Sequence, residues 1–191
     1  VLEVYRHLEE NGYQVDYIGV DKEGKIDTQE LKDRISKETA LISIIIVNNE
    51  TGTIQQMEEI SAIRNSKNPG AVIHADAVQA YGKIPLNPSR SGIGLLSVSA
   101  HKIHGPKGIG ALYVSSSIKL KPLFFGGGQE TLLRSGTENV PGIAGFGLAA
   151  KKTFEKLDEN YRKAAQLKKI FTELLEESGI SYKVLSPDDG L

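Results

Sequence analysis

The sequence predicts an α/β fold, a mainly parallel sheet with helices on both faces. Three observations lead there. Short runs of Ile, Val, Leu and Ala recur at 41–47, 71–77 and 95–100, nearly without polar interruption, as strands of a covered parallel sheet do. Segments with helical apolar spacing separate the first of these runs, giving the β, α, β order that a parallel sheet requires. A last run, 110–115, follows its predecessor through a loop too short for a crossover helix, so it is expected to run antiparallel.

Taken in order, Leu2, Tyr5 and Leu8 share a helical face, and Gly12 ends that helix as a C-terminal glycine does. "QVDYIGV" (14–20) reads as a short strand. "DTQELKDRI" (27–35) places an Asp or Thr cap ahead of Glu30, Leu31 and Ile35, a helix start that leads into the strand "ALISIIIV" (40–47). A helix near 57–66, the strand "AVIHADA" (71–77), a short helix near 78–81 and the strands "LLSVSA" (95–100) and "GALYVS" (110–115) follow. Phe154, Leu157, Tyr161, Leu167, Ile170 and Leu174 then trace the apolar stripe of one long helix ending at Gly179, and "ISYKVLS" (180–186) reads as a strand. Residues 1–150 are thus expected to form most of an α/β domain, and 151–191 a linking helix with the first strand of a second, smaller domain. Both ends of the chain read as edges of something larger, and with part of the sheet absent an exposed strand edge would seek a partner.

Composition narrows the functional classes. Lys and Arg number 23 against 24 Asp and Glu, so no basic field exists for nucleic acid or an acidic membrane surface. No apolar run nears the roughly 18 residues of a membrane span, and no targeting segment is visible, so the expectation is a soluble, cytoplasmic protein. The 191 residues contain no cysteine, which removes disulfides, cysteine metal clusters and thiol nucleophiles from this chain.

In open parallel sheets, ligands bind beyond the carboxyl ends of the strands. Three polar clusters stand there: "VNNETG" after the first buried run, "HADAVQ" at 74–79, and "SAHK" at 99–102. Together they offer amides, a carboxylate, a hydroxyl, histidines and a lysine with no adjacent counter-ion. That inventory suits pyridoxal phosphate, which needs a lysine for its Schiff base, an acid beside the pyridine nitrogen and donors for its phosphate. Lys102 is the candidate lysine, Asp76 the candidate acid, and Ser99 with His101 the candidate phosphate donors. Plainer readings stand beside these: Lys102 as a solvated surface lysine, Asp76 as a helix cap, and His74, Asp76, His101 and His104 as a metal site, which the Gly-Pro after His104 disfavours. "GPKGIG" lacks the Gly-Lys-Ser/Thr of a phosphate-binding P-loop and reads as a turn that brings backbone close to the site.

"NNETGTIQ", "HADAVQ", "SAHKIHGPKGIGALYV" and "GGGQETLLRSGTENVPG", in this order, resemble the NifS-type cysteine desulfurases, pyridoxal phosphate enzymes of the class V aminotransferase family with the aspartate aminotransferase fold (PLP fold type I). The motifs span residues 47–142. The resemblance implies that Lys102 binds the cofactor aldehyde, Asp76 pairs with the pyridine nitrogen, Asn49 and Gln79 contact ring substituents, chiefly the phenolic oxygen, and Ser99 and His101 hold the phosphate. It also implies that Thr137 reaches the phosphate of a neighbouring subunit, hence a homodimer with shared sites. Arg134 and His104 receive no role from it; a salt bridge and a loop hydrogen bond are the plain expectations for them.

The implied activity removes sulfur from L-cysteine, leaving L-alanine and a protein persulfide that feeds a sulfur acceptor or scaffold protein of iron–sulfur cluster or thiolation pathways. The family places a phosphate loop and a ring-stacking histidine before Val1, and the persulfide cysteine and a carboxylate-binding arginine beyond Leu191, so the isolated chain is expected to be inactive. A selenocysteine lyase or another class V aminotransferase-like enzyme is the enzymatic alternative; a non-catalytic scaffold or interaction module is the other.

Overall fold

The computed structural model describes residues 1–190. Helix α1 spans Leu2–Glu10, α2 Thr28–Arg34, α3 Met57–Lys67, α4 Val140–Glu155 and α5 Leu157–Glu177; the strands are β1 Leu41–Ile45, β2 Val72–Asp76, β3 Leu95–Ser99 and β4 Gly110–Val114. They form one sheet in the order β1-β2-β3-β4, the first three parallel and β4 antiparallel to β3. The short 100–109 connection leaves β4 no other direction, as the loop length requires.

Register explains the core. Ile42 lies opposite Ile73, and Ile44 opposite Ala75, which in turn lies opposite Leu96; all five are buried on one face of the sheet. Leu31 and Ile35 from the α2 segment and Met57 and Ile60 from α3 pack into the same cluster. Asp27 caps α2 by accepting from the Glu30 N–H at 2.9 Å, and the Glu30 carboxylate turns back to accept from the Gly19 N–H at 2.8 Å. The opposite face alternates in the period-two manner of strands. It carries Ser43, His74, Asp76 and Ser97, which are half-buried, and the exposed Leu41 and Ile45. The apolar runs therefore have one covered face and one polar face, and the polar face carries Asp76 and Ser99 at its strand ends.

Four segments differ from the sequence expectation. Residues 14–20 form no strand; Val20 makes an isolated antiparallel bridge to Ile26, closed by Asp21, whose carboxylate accepts from the N–H groups of Glu23 and Lys25. Residues 78–83 are overlapping turns rather than a helix, because Gly82 at φ +73° ends the coil as soon as it begins. The long helix is two, divided at Lys156, whose ψ of 16° breaks the ladder without a Gly or Pro. Residues 180–186 form no strand: among the described residues no strand lies alongside to pair with them, and Ile180, Val184 and Leu185 stay exposed. The expected domain division near residue 150 falls inside α4.

α4 sets the back of the site. Asn139 caps it by accepting from the Gly142 N–H at 3.0 Å, and a Cβ on Gly142 would sit 2.5 Å from Ile109, so only glycine permits the approach to the 100–109 loop. The core makes a direct prediction for urea unfolding of the protein: Ile73→Ala, at a fully buried position, lowers stability by about 2–5 kcal/mol and Ile73→Val by about 0.5–1.5 kcal/mol.

Candidate functional site

The parallel strands deliver three loops to one edge. The ladder continues past the strand ends, with the Ile46 N–H donating to the Asp76 carbonyl at 3.0 Å and the Ala77 N–H to the Ser97 carbonyl at 2.9 Å. Beyond Val47, the Asn48 side chain folds back to accept from the N–H groups of Glu50 and Thr51, which leaves Asn49 exposed at the loop. The buried Thr53 hydroxyl donates to the Glu23 carbonyl and ties this loop to the 20–26 hairpin. After Asp76 the chain turns to present Gln79 and Lys83, and after Ser99 a single 3₁₀ turn, Ala100–Ile103, presents Lys102. His104, at φ +64°, closes that turn, and the Gly105 N–H donates to the Ala100 carbonyl at 2.9 Å.

These loops and the α4–α5 segment enclose a cleft of about 500 Å³, whose polar lining includes Asn49, Gln79, Lys83, Lys102, Thr153 and Tyr161. The structure therefore brings Asn49, Gln79 and Lys102 into one cleft. Asp76 and Ser99 stand on the adjoining strand ends and His101 on the 3₁₀ turn, none of them lining it, and exposed Thr137 lies on the separate 126–139 segment.

Asp76 is half-buried; its Oδ1 accepts from the Val78 N–H at 3.0 Å, and its other oxygen has no protein donor among the described residues. The cap reading thus accounts for one carboxylate oxygen and leaves one for a ligand. Ser99 Oγ and His101 Nδ1 are 2.8 Å apart, a paired hydroxyl and imidazole. Lys102 is half-buried and has no ion pair or hydrogen bond among the described residues. One lysine amine, one carboxylate oxygen, two amides and a hydroxyl–imidazole pair are the kinds of group that an aldehyde, a pyridine nitrogen, a phenolic oxygen and a phosphate each require, so the residues present fit pyridoxal phosphate.

Arg134 makes no salt bridge among the described residues; it donates to the Ser135 carbonyl and lies over the Phe124 ring, 5.6 Å from its centroid. His104 contributes its backbone to the turn, and its side chain makes no hydrogen bond among the described residues.

Sequence reasoning missed one residue of the cleft. Lys83 shares the cleft with Lys102, and its Nζ donates to Gln79 Oε1 at 2.7 Å. Its signal was the spacing of Gln79 and Lys83 across "QAYGK", which a single helical turn brings together. His74, weighed as a metal ligand, instead bridges three strands: its Nδ1 lies 2.7 Å from the Ser43 hydroxyl and its Nε2 2.9 Å from the Ser97 hydroxyl. Both ring nitrogens are thereby engaged by hydroxyls. No group of three or more His, Cys, Asp or Glu positioned for a metal ion occurs among the described residues.

Burial pushes the His74 imidazole below the ordinary histidine value, and the Asp76 carboxylate opposes the shift only in part. The unfolded chain then binds this proton more readily than the folded one. The stability His74 contributes is present above about pH 6.5 and is lost as pH falls through its lower folded value. Urea midpoints measured between about pH 7 and 5 should decline with acid, and His74→Gln should flatten that decline. An unchanged slope in the variant would contradict the assignment.

Residues 2–189 match the family described as Aminotransferase class-V. The chain is 44% identical over 177 residues to the cysteine desulfurase IscS of Dictyoglomus turgidum, which covers 93% of this chain and 44% of that protein. A solved NifS-like protein superposes with a TM-score of 0.94 at 39% identity, over 100% of this chain and 52% of that one. A second solved structure, SspA in complex with cysteine, superposes with a TM-score of 0.75 at 40% identity, over 79% of this chain and 44% of that one. The chain spans about half the length of the curated relatives it matches, and its sheet is the corresponding part of the NifS-like, aspartate aminotransferase fold. It belongs to the class V aminotransferase family.

Proposed function

We propose that the polypeptide carrying this chain is a pyridoxal phosphate-dependent cysteine desulfurase, and that these residues supply the lysine-bearing edge of its active site. The observation that carries the reading is the convergence of Lys102, Gln79 and Asn49 in one cleft beside the strand end that bears Asp76. The cofactor, when bound, supplies an aldehyde for an amine and a protonated ring that takes up electrons from a breaking bond.

The chain's own residues would do the rest. Lys102 provides the amine from a half-buried position without a carboxylate neighbour holding it, and its Nζ is the group placed to accept and return protons in the cleft. Asp76 offers its free oxygen to the ring N–H and favours the charged form of that ring. Asn49 and Gln79 amides hydrogen-bond ring substituents, and the Ser99–His101 pair donates to the phosphate. No thiol occurs in the 191 residues, so the group that takes sulfur from the substrate lies outside them.

A homodimer with shared sites is part of the same proposal. Thr137 is exposed, and the stretch leading to it, from residue 123 on, presents Leu123, Phe125 and Leu132, which are 82%, 84% and 69% exposed. Exposed apolar side chains such as these suit a subunit contact, which would carry Thr137 toward the phosphate bound by the other protomer. L-cysteine is the proposed substrate, in keeping with the names of the relatives and the cysteine-bound neighbour. A sulfur-acceptor or scaffold protein is the proposed recipient.

Alanine release from L-cysteine by the complete polypeptide tests this reading. Turnover that depends on added pyridoxal phosphate, and that falls by more than about a hundredfold in Lys102→Ala, is the expected result. A complete polypeptide that binds the cofactor yet forms no alanine would remove the activity.

A further inference from the structure

Lys83 has no place in the roles above, yet it occupies the same cleft as Lys102. It is half-buried, and among the described residues no carboxylate pairs with it. Its position is specified by the backbone: Gly82 adopts φ +73°, and a Cβ there would lie 2.7 Å from Thr153 and 2.8 Å from Ile103, so the turn that aims Lys83 inward tolerates only glycine. Burial pushes the Lys83 ammonium below the usual lysine value, and the nearby charge of Lys102 pushes the same way. Two cations share the cleft, and its acidic lining residue, Glu50, pairs with neither among the described residues, so the two lysines together favour an anionic occupant.

The contact with Gln79 adds direction. An ammonium donates and never accepts, so the Gln79 atom 2.7 Å from Lys83 Nζ must be the amide oxygen. That fixes the orientation of the amide, which is otherwise free to flip, and leaves the Gln79 NH₂ as a donor with no protein acceptor among the described residues. We propose that Lys83 is a positioning residue that locks Gln79 with its NH₂ toward the ligand, so that Gln79 acts as a hydrogen-bond donor to an oxygen anion on the cofactor ring. The inference rests on the cofactor reading above and deepens it: without the lysine, the amide can turn its oxygen toward the anion and repel it.

The test is a double-mutant cycle on the dissociation constant of pyridoxal phosphate, measured by equilibrium dialysis against the complete apo-polypeptide. Lys83→Met, which keeps the aliphatic stem, should weaken binding about tenfold, and Gln79→Leu by a similar factor, as for a lost charge-assisted hydrogen bond. The double variant should be no weaker than Gln79→Leu alone, because Lys83 acts through Gln79. With an analogue lacking the phenolic hydroxyl, the Lys83→Met loss should shrink to less than about twofold, a selectivity that mere structural damage would not give. Lys83→Arg, which retains a charged donor, should stay within about threefold of the parent protein. Unchanged binding by Lys83→Met, losses that multiply in the double variant, an undiminished loss with the analogue, or a Lys83→Arg loss as large as that of Lys83→Met would each overturn the role. Failure of the parent polypeptide to bind pyridoxal phosphate would instead remove the cofactor reading on which the role rests.

Discussion

Parallel pairing of β1, β2 and β3 is the constraint from which the rest of the site follows. Because the three strands run the same way, their carboxyl ends meet at one edge, and the residues that follow Val47, Asp76 and Ser99 are neighbours in space though separated by more than twenty residues in sequence. The register that buries Ile42, Ile44, Ile73, Ala75 and Leu96 on one face necessarily turns Ser43, His74, Asp76 and Ser97 to the other. A one-residue slip of β2 would bury the Asp76 carboxylate in the aliphatic cluster and expose Ala75 in its place. The His74 bridge between Ser43 and Ser97 pins the polar face across all three strands, so core and site hold the same register.

Charge in the cleft is arranged by what surrounds each group. Asp76 has one oxygen fixed by the following backbone and one free, while Lys102 has no protein partner among the described residues and Lys83 has only an amide. A buried cation without an acid would ordinarily be costly. The half-buried positions of both lysines keep that cost moderate, and an anionic ligand would offset it. Strand ends bear the acid, turns bear the lysines, and α4 closes behind them through the glycine contact at Ile109, which places rigid elements under each functional group.

Much of this was legible in the sequence. The apolar runs at 41–47, 71–77 and 95–100 located the strands, and the polar residues that end each run include Asn49, Gln79 and Lys102, which the structure brings into one cleft. The antiparallel β4 was legible from loop length alone. Residues 14–20 and 180–186 have strand-like composition, but a strand exists only where another lies beside it, and that is a property of the tertiary structure. The break at Lys156 left no Gly or Pro to mark it, so the apolar stripe ran on unbroken from α4 into α5. Lys83 stayed hidden because a lysine in a turn looks solvated until the cleft is known, whereas Lys102 stood out by following a strand whose neighbour ends in Asp76.

The central claim is that Lys102 is the amine that this edge presents to an aldehyde cofactor. Incubating the complete polypeptide with pyridoxal phosphate, reducing with borohydride to convert any lysine adduct into a stable secondary amine, and mapping the modified peptide by mass spectrometry addresses it directly. The account predicts a single adduct on Lys102, with Lys83 unmodified; an adduct on Lys83, or none on either lysine, would contradict it.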